Sequence, residues 1–174
     1  AYVEESGRYF LFGHLFDMQT QTDLTEGKIM AEQVAKMDFK SLPLKDAITI
    51  VRGDGSRKVA IFSDPDCPYC KQLENNIANL TNVTIYLFMF PIEQLHPQAK
   101  AKAVAVWCSA DKAKAWDGLM RRNETLTGSC ENPIDRNVAL AESLGSNGTP
   151  TGILPDGAII PGAPSAAKLE QMLN

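Results

Sequence analysis

Cys67 and Cys70 are separated only by Pro68 and Tyr69, a spacing that sets two thiols about one helical turn apart. Thiol–disulfide exchange needs a thiolate, and an ordinary free cysteine is only about 3% ionised at pH 7. The unpaired N–H groups and aligned dipoles of a helix N-terminus stabilise a negative sulfur. Residues 58–63 read as a strand, and the residues after Cys70 read as a helix with Leu73, Ile77 and Leu80 on one stripe. Pro68 suits the first helical turn, where its missing N–H costs nothing. On this reading Cys67 is exposed at the helix tip as the nucleophile, and Cys70, one turn inside, resolves the mixed disulfide. Asp64 and Asp66 act against it, since nearby carboxylates raise a thiol pKa; Asp66 is assigned to capping the helix.

Zinc is the competing use for these residue types. Zinc knuckles bring two close cysteine pairs, but Cys108 and Cys130 lie 22 positions apart, and His14 and His96 are remote. The strand–C-x-x-C–helix context favours redox chemistry, and no metal is assigned. Cys108 and Cys130 themselves leave two readings open. They are either two buried free thiols or a disulfide that closes a loop worth about 3 kcal/mol, the stronger reading in an oxidising compartment. Asn147-Gly148-Thr149-Pro150 is equally double: a plain turn, or a cis Thr149–Pro150 bond facing the thiols. In the second case the Thr149 backbone is free to pair with an extended substrate.

The elements that must position these groups follow from patterning. Residues 8–16 form an aromatic strand that is apolar on both faces and calls for a cover, from this chain or another. A helix with a narrow apolar stripe spans about residues 26–39 and ends at Pro43. Residues 47–52 and 58–63 flank Gly53-Asp54-Gly55-Ser56 and read as a hairpin. Residues 83–90 are a continuous apolar run of the kind buried on both sides of a sheet. Residues 98–122 read as two helices broken near 109–111, and Pro133 opens another that Gly145 closes. A second hairpin turns at Pro155-Asp156-Gly157, followed by a helix from Ser165 to Leu173.

Several residues receive plain structural readings. Lys71, Glu74 and Asn75 face away from the core, and Trp107, Trp116 and Tyr86 are core or half-buried packing residues. Cys108, beside Trp107, is expected to be buried and unreactive. His96 is a loop residue, and Lys100, Lys102, Lys112 and Lys114 form a solvated helix face.

Bulk composition narrows the partners. The 174 residues are 44% hydrophobic and 22% charged, with a formal net charge of −4 and a pI near 5.2. That balance argues against a nucleic acid held by phosphate contacts, and no window approaches the roughly 18 apolar residues of a membrane span. The start, Ala1-Tyr2-Val3-Glu4-Glu5, lacks a signal peptide, so the chain is either cytoplasmic or has lost a leader.

The ordered motifs resemble those of the DsbC/DsbG family of periplasmic disulfide isomerases, closest to the DsbC branch. They run from Phe62-Ser63-Asp64 and Cys67-Pro68-Tyr69-Cys70 through Ala105-Val106-Trp107-Cys108, Gly128-Ser129-Cys130 and Gly148-Thr149-Pro150 to Pro161-Gly162. The resemblance covers about residues 24–174. It implies an α/β thioredoxin-like fold with a helical insertion at about 95–145. The catalytic domain takes 43–174, preceded by a linker helix at 25–42 and the last strands of a dimerisation domain at 1–24. It also implies catalytic Cys67 and Cys70, a cis Pro150 with Thr149 beside the site, and a non-catalytic Cys108–Cys130 disulfide. No cofactor beyond the dithiol is implied, and the partners are misfolded disulfide-containing proteins and a membrane electron donor of the DsbD type. Two features depart from the family: Pro68-Tyr69 stands where DsbC usually has Gly-Tyr, and the N-terminal dimerisation domain is incomplete.

The function expected is a periplasmic thiol–disulfide isomerase or reductase acting on wrong disulfides of secreted proteins, self-associating through residues 9–16. Its rivals are a DsbA-like dithiol oxidase and a chaperone-like binding module for unfolded chains, the latter motivated by the aromatic strand.

Overall fold

The computed structural model describes residues 38–146 and 148–174 and, before them, only the backbone of four two-residue strands. Those strands make two antiparallel ribbons, β1 (Tyr2–Val3) with β2 (Phe10–Leu11), and β3 (Phe16–Asp17) with β4 (Thr22–Asp23). The segment expected as one strand over 8–16 therefore supplies strands to two separate ribbons. The helix expected over 26–39 lies outside the described residues except for its end. There the Asp38 side chain caps a 3-10 turn at Phe39–Ser41, and a second turn follows at Leu44–Asp46.

Five strands form the main sheet: β5 (Ile48–Arg52), β6 (Arg57–Ser63), β7 (Val83–Met89), β8 (Thr151–Ile153) and β9 (Ile159–Pro161), in the order β5-β7-β6-β8-β9. β6 and β7 are parallel, and every other pairing is antiparallel. The hairpin expected between β5 and β6 is corrected by this order, because β7 lies between them. The turn is real, closed by the Gly55 N–H on the Arg52 carbonyl at 3.2 Å, but it wraps around the start of β7. Gly53 and Gly55 adopt φ of 60° and 67°, and Asn82 sits against the loop, its carbonyl accepting from the Arg57 N–H. The apolar run of β7 explains the preference: it is buried almost throughout, and an inner place in the sheet satisfies both of its hydrogen-bonding edges. The second expected hairpin, β8 with β9, is present.

Alternation divides the core between the two faces of the sheet. Val59 and Ile61 of β6, with Val83, Ile85, Leu87 and Met89, pack against α1 (Pro68–Ile77), α3 (Lys112–Arg122) and α5 (Ala166–Leu173). Ala60, Phe62 and Phe88 face the other side, where α4 (Ile134–Ser143) contributes Ala141 and the Phe62 and Phe88 rings stack at 4.9 Å. α2 (Ala99–Trp107), α3 and α4 are the helical insertion between β7 and β8. Among the described residues no helix is long and apolar enough to cross a membrane.

Glu74 does not face solvent as expected. It is 5% exposed, and its Oε1 accepts the Trp116 indole N–H at 2.7 Å. The stripe of α1 is therefore wider than the sequence pattern suggests, because α3 covers a second side of the helix.

Candidate active site

β6 delivers the chain to the site. After Ser63 the backbone turns through Asp64, Pro65 and Asp66, and Cys67 takes the N-cap of α1 with Pro68 as the first helical residue. The expectation that Cys67 stands exposed is corrected, since it is 6% exposed and Cys70 is fully buried. Both are free thiols. Cys67 is covered by the loop before β8: its Sγ donates to the Thr149 carbonyl at 3.3 Å, beside the cis Thr149–Pro150 peptide. Asn147, the first residue of that motif, lies outside the described residues. Tyr69, between the two thiols, is 64% exposed and offers an aromatic surface at the helix tip.

The two sulfurs sit in unlike surroundings. Burial pushes the Cys70 thiol up to about 12, against the Asp64 N–H, which approaches its Sγ at 3.3 Å and favours the charged form. Cys70 is thus protonated at neutral pH. Cys67 sits instead where α1 presents its unpaired N–H groups.

Asp64 organises this corner and was missed in that role. It is completely buried, and its Oδ1 accepts the Asp66 N–H at 2.7 Å. Its Oδ2 accepts the Ile92 N–H at 2.7 Å and lies 3.0 Å from His96 Nδ1. One carboxylate therefore ties the loop before Cys67 to the loop after β7. His96 is a loop residue as expected, but its ring is engaged. The signal available in the sequence was an acidic residue just after the apolar run Val59-Ala60-Ile61-Phe62 and Ser63; its partner, 32 positions away, left none.

The other carboxylate has a different partner. Asp66 does not cap α1, whose N-cap is Cys67, but pairs with Lys102 of α2 at 2.5 Å. The supposedly solvated lysine face is engaged elsewhere too, with Lys100 on Asp135 and Lys112 over the Trp107 ring at 3.9 Å. Cys108 and Cys130 are joined, with a Cα–Cα distance of 5.7 Å, so the alternative of two buried free thiols does not hold. Cys108 is only half-buried and Cys130 is exposed. Among the described residues no group of His, Cys, Asp and Glu is arranged to hold a metal ion.

This arrangement of strand, N-terminal cysteine pair, helix and opposed cis proline is matched by comparison with known proteins. Residues 44–174 match the family model of the thioredoxin-like domain. The chain belongs to the thioredoxin-like family. Residues 1–26 match a second model, the N-terminal domain of disulfide bond isomerase proteins. This thioredoxin-like chain is 36% identical over 173 residues to the probable thiol:disulfide interchange protein DsbC of Bordetella pertussis, covering 99% of this chain and 61% of that one. It is 26% identical over 176 residues to the thiol:disulfide interchange protein DsbC of Escherichia coli, covering 99% of this chain and 72% of that one. A crystal structure of a disulfide interchange protein from Neisseria gonorrhoeae superposes with a TM-score of 0.74 at 45% identity, covering 76% of this chain and 96% of that one. These relatives bear out the resemblance to the DsbC/DsbG family. The chain spans about three fifths of the length of its Bordetella relatives.

Proposed function

We propose that this chain is a thiol–disulfide isomerase and reductase that rearranges wrong disulfides in secreted proteins, with Cys67 as nucleophile and Cys70 as resolving thiol. The observation that carries the reading is the asymmetry of the pair. Cys67 occupies the N-cap of α1 beside the Thr149 carbonyl, while Cys70 is buried and held protonated. The relatives named DsbC and the matched thioredoxin-like domain support it.

In the first step the Cys67 thiolate attacks one sulfur of the substrate disulfide. A Cys67–substrate bond forms, the substrate S–S bond breaks, and the other substrate sulfur leaves as a thiolate. In isomerisation a different substrate thiolate then attacks the mixed disulfide, forming a new substrate S–S bond and returning the Cys67 thiolate. In the alternative outcome Cys70 loses its proton and attacks Cys67 Sγ. The substrate leaves reduced by two electrons, and the enzyme carries a Cys67–Cys70 disulfide. A dithiol donor must then return two electrons, and a membrane donor of the DsbD type fills that role. No cofactor beyond the cysteine pair takes part.

Substrate enters over Tyr69 and the Thr149 edge, where an extended chain pairs with the Thr149 backbone while its disulfide reaches Cys67. Thr149, Pro150, Pro68 and Tyr69 thus shape the site, and Cys108–Cys130 is structural. The working compartment is the periplasm, where such a disulfide persists. On this reading residues 1–24 are the end of a dimerisation domain, 25–42 are its linker, whose described end is the 3-10 turn at Phe39–Ser41, and the chain self-associates through its N-terminal strands.

Refolding of a scrambled multi-disulfide protein tests the reading. Reduced wild type restores native activity, Cys67→Ala does not, and Cys70→Ala attacks but accumulates mixed disulfide. Equal suppression of aggregation by all three, with no rescue by wild type, would favour a chaperone-like module. Accumulation of the oxidised form in glutathione buffer, with net disulfide insertion, would favour a DsbA-like oxidase.

A further inference from the structure

A cavity of about 480 Å³ opens beside the start of α1, with Asp66 and Lys71 at its active-site end. Its floor is α2 and α3, through Ala101, Ala105 and Leu119, and its far wall is the irregular stretch around residues 123–128. The volume lies within the roughly 300–1,000 Å³ of ligand-binding clefts. We infer that this groove is a second substrate subsite, which holds a few residues of the polypeptide flanking the disulfide under attack, chiefly through main-chain hydrogen bonds.

Three observations select that occupant. First, residues 125–129 make no hydrogen bond and, apart from half-buried Leu126, are exposed. A run of unpaired peptide groups along a cleft is the feature that an extended chain satisfies by strand-like addition. Second, most of the polar side chains around the groove are held by partners within the protein. Lys102 pairs with Asp66, Glu124 with Arg122, and Lys71 Nζ donates to Asn123 Oδ1 at 2.8 Å. Small apolar side chains of such a chain fit the alanine floor, beside the ammonium of Lys71 at the active-site end. Third, the groove reaches the residue next to the attacking one, since Asp66 lines it, Cys67 follows directly and consecutive Cα atoms are about 3.8 Å apart.

The inference also gives the distant disulfide a task. Over residues 125–129 the wall makes no hydrogen bonds; Leu126 packs on the core, and the Cys130–Cys108 bond ties the far end to the end of α2. At Gly128 the wall runs close to that bond: a Cβ there would lie 3.5 Å from Cys108 Cβ and 3.9 Å from Ala105 Cα.

This deepens the thiol-exchange reading and rests on it, so the test separates the two. The probe is a fluorescent unfolded protein with all its cysteines blocked by carboxamidomethylation, titrated by anisotropy against wild type, Ala101→Trp and Thr127→Pro. Ala101 is exposed on α2 and Thr127 makes no hydrogen bond, so neither change removes a core contact. Reaction with a small aromatic disulfide is measured in parallel. We expect Ala101→Trp to weaken the probe at least about tenfold by filling the floor. Thr127→Pro, which deletes one N–H, weakens it about threefold to tenfold. Both variants react with the small disulfide at the wild-type rate. Unchanged probe affinity in both variants overturns the subsite, and so does a parallel fall in affinity and in small-disulfide rate, which places the effect on the helix of Cys67. A wild type inert toward the small disulfide sinks the exchange reading instead.

Discussion

The two cysteine pairs are held in place by opposite means. The loop before Cys67 is anchored by a buried carboxylate: Asp64 receives the Asp66 and Ile92 N–H groups and faces His96, and both sulfurs stay free. The stretch before Cys130 makes no hydrogen bonds over residues 125–129, and there the sulfurs themselves are the anchor. Where hydrogen bonds fix the backbone, the thiols are available for chemistry. Where they do not, sulfur is used as a fastener. Burial follows the same division in an unexpected direction, since the free pair is the more buried one and the bonded pair reaches the surface.

The comparison breaks most visibly at Asp64. Asp64→Ala leaves the Ile92 and Asp66 N–H groups without their acceptor and costs about 3–4 kcal/mol, read as a lower urea midpoint at unchanged slope. Small-disulfide exchange falls as well, because the turn that presents Cys67 loosens. Wild-type stability in Asp64→Ala would mean the carboxylate is not the anchor. Removal of the other fastener, as Cys108→Ala with Cys130→Ala, costs about 3 kcal/mol through loop closure in the unfolded chain. Here small-disulfide exchange survives, so the two anchors separate in a single pair of assays.

Glu74 sharpens the contrast with Asp64, since it is a buried carboxylate given one hydrogen bond in place of a network. Burial raises its pKa, against the Trp116 N–H that favours the ionised form. The folded state therefore binds the proton more tightly than the unfolded chain does. The protonated group costs nothing below the unfolded value near 4.5, and stability is lost as pH rises from there through the folded value. Glu74→Gln keeps an acceptor for the indole and removes the charge. Its thermal midpoint matches wild type at pH 4 and exceeds it at pH 8. A variant less stable than wild type at both pH values would contradict the assignment. The smallest effect belongs to Arg136, which holds the carboxylate of Asp46 below the usual range through a paired contact at 2.9 and 3.0 Å. Arg136→Ala lowers the urea midpoint slightly above pH 4, and the loss fades as pH falls through the depressed Asp46 value and in high salt.

Much of this was legible in the chain because it is local. The thiol pair at a strand–helix junction, the apolar run of Val83–Met89 and the turn at Pro155-Asp156-Gly157 all show within short windows. Errors arose where a distant segment decided the outcome. Asp-Gly between β5 and β6 marks a turn, but only the competing claim of β7 for an inner position shows that the turn spans a third strand. Glu74 looked solvent-facing because α1 was read against one partner, and α3 is a second. Asp64, His96, Asp66 and Lys102 were each visible as residue types, but their pairings join segments about 30 residues apart and have no sequence signature. Cys67 looked exposed because the loop at Thr149, 82 positions later, is what covers it.

The central claim is that two neighbouring thiols are made unequal by their surroundings, and residue-resolved alkylation of the reduced, folded protein tests it most directly. A brief pulse of iodoacetamide at pH 7, followed by digestion and mass analysis, is predicted to label Cys67 and leave Cys70 unmodified, with Cys70 reacting only under strongly alkaline conditions. Equal labelling of the two, or Cys70 reacting first, would contradict the account.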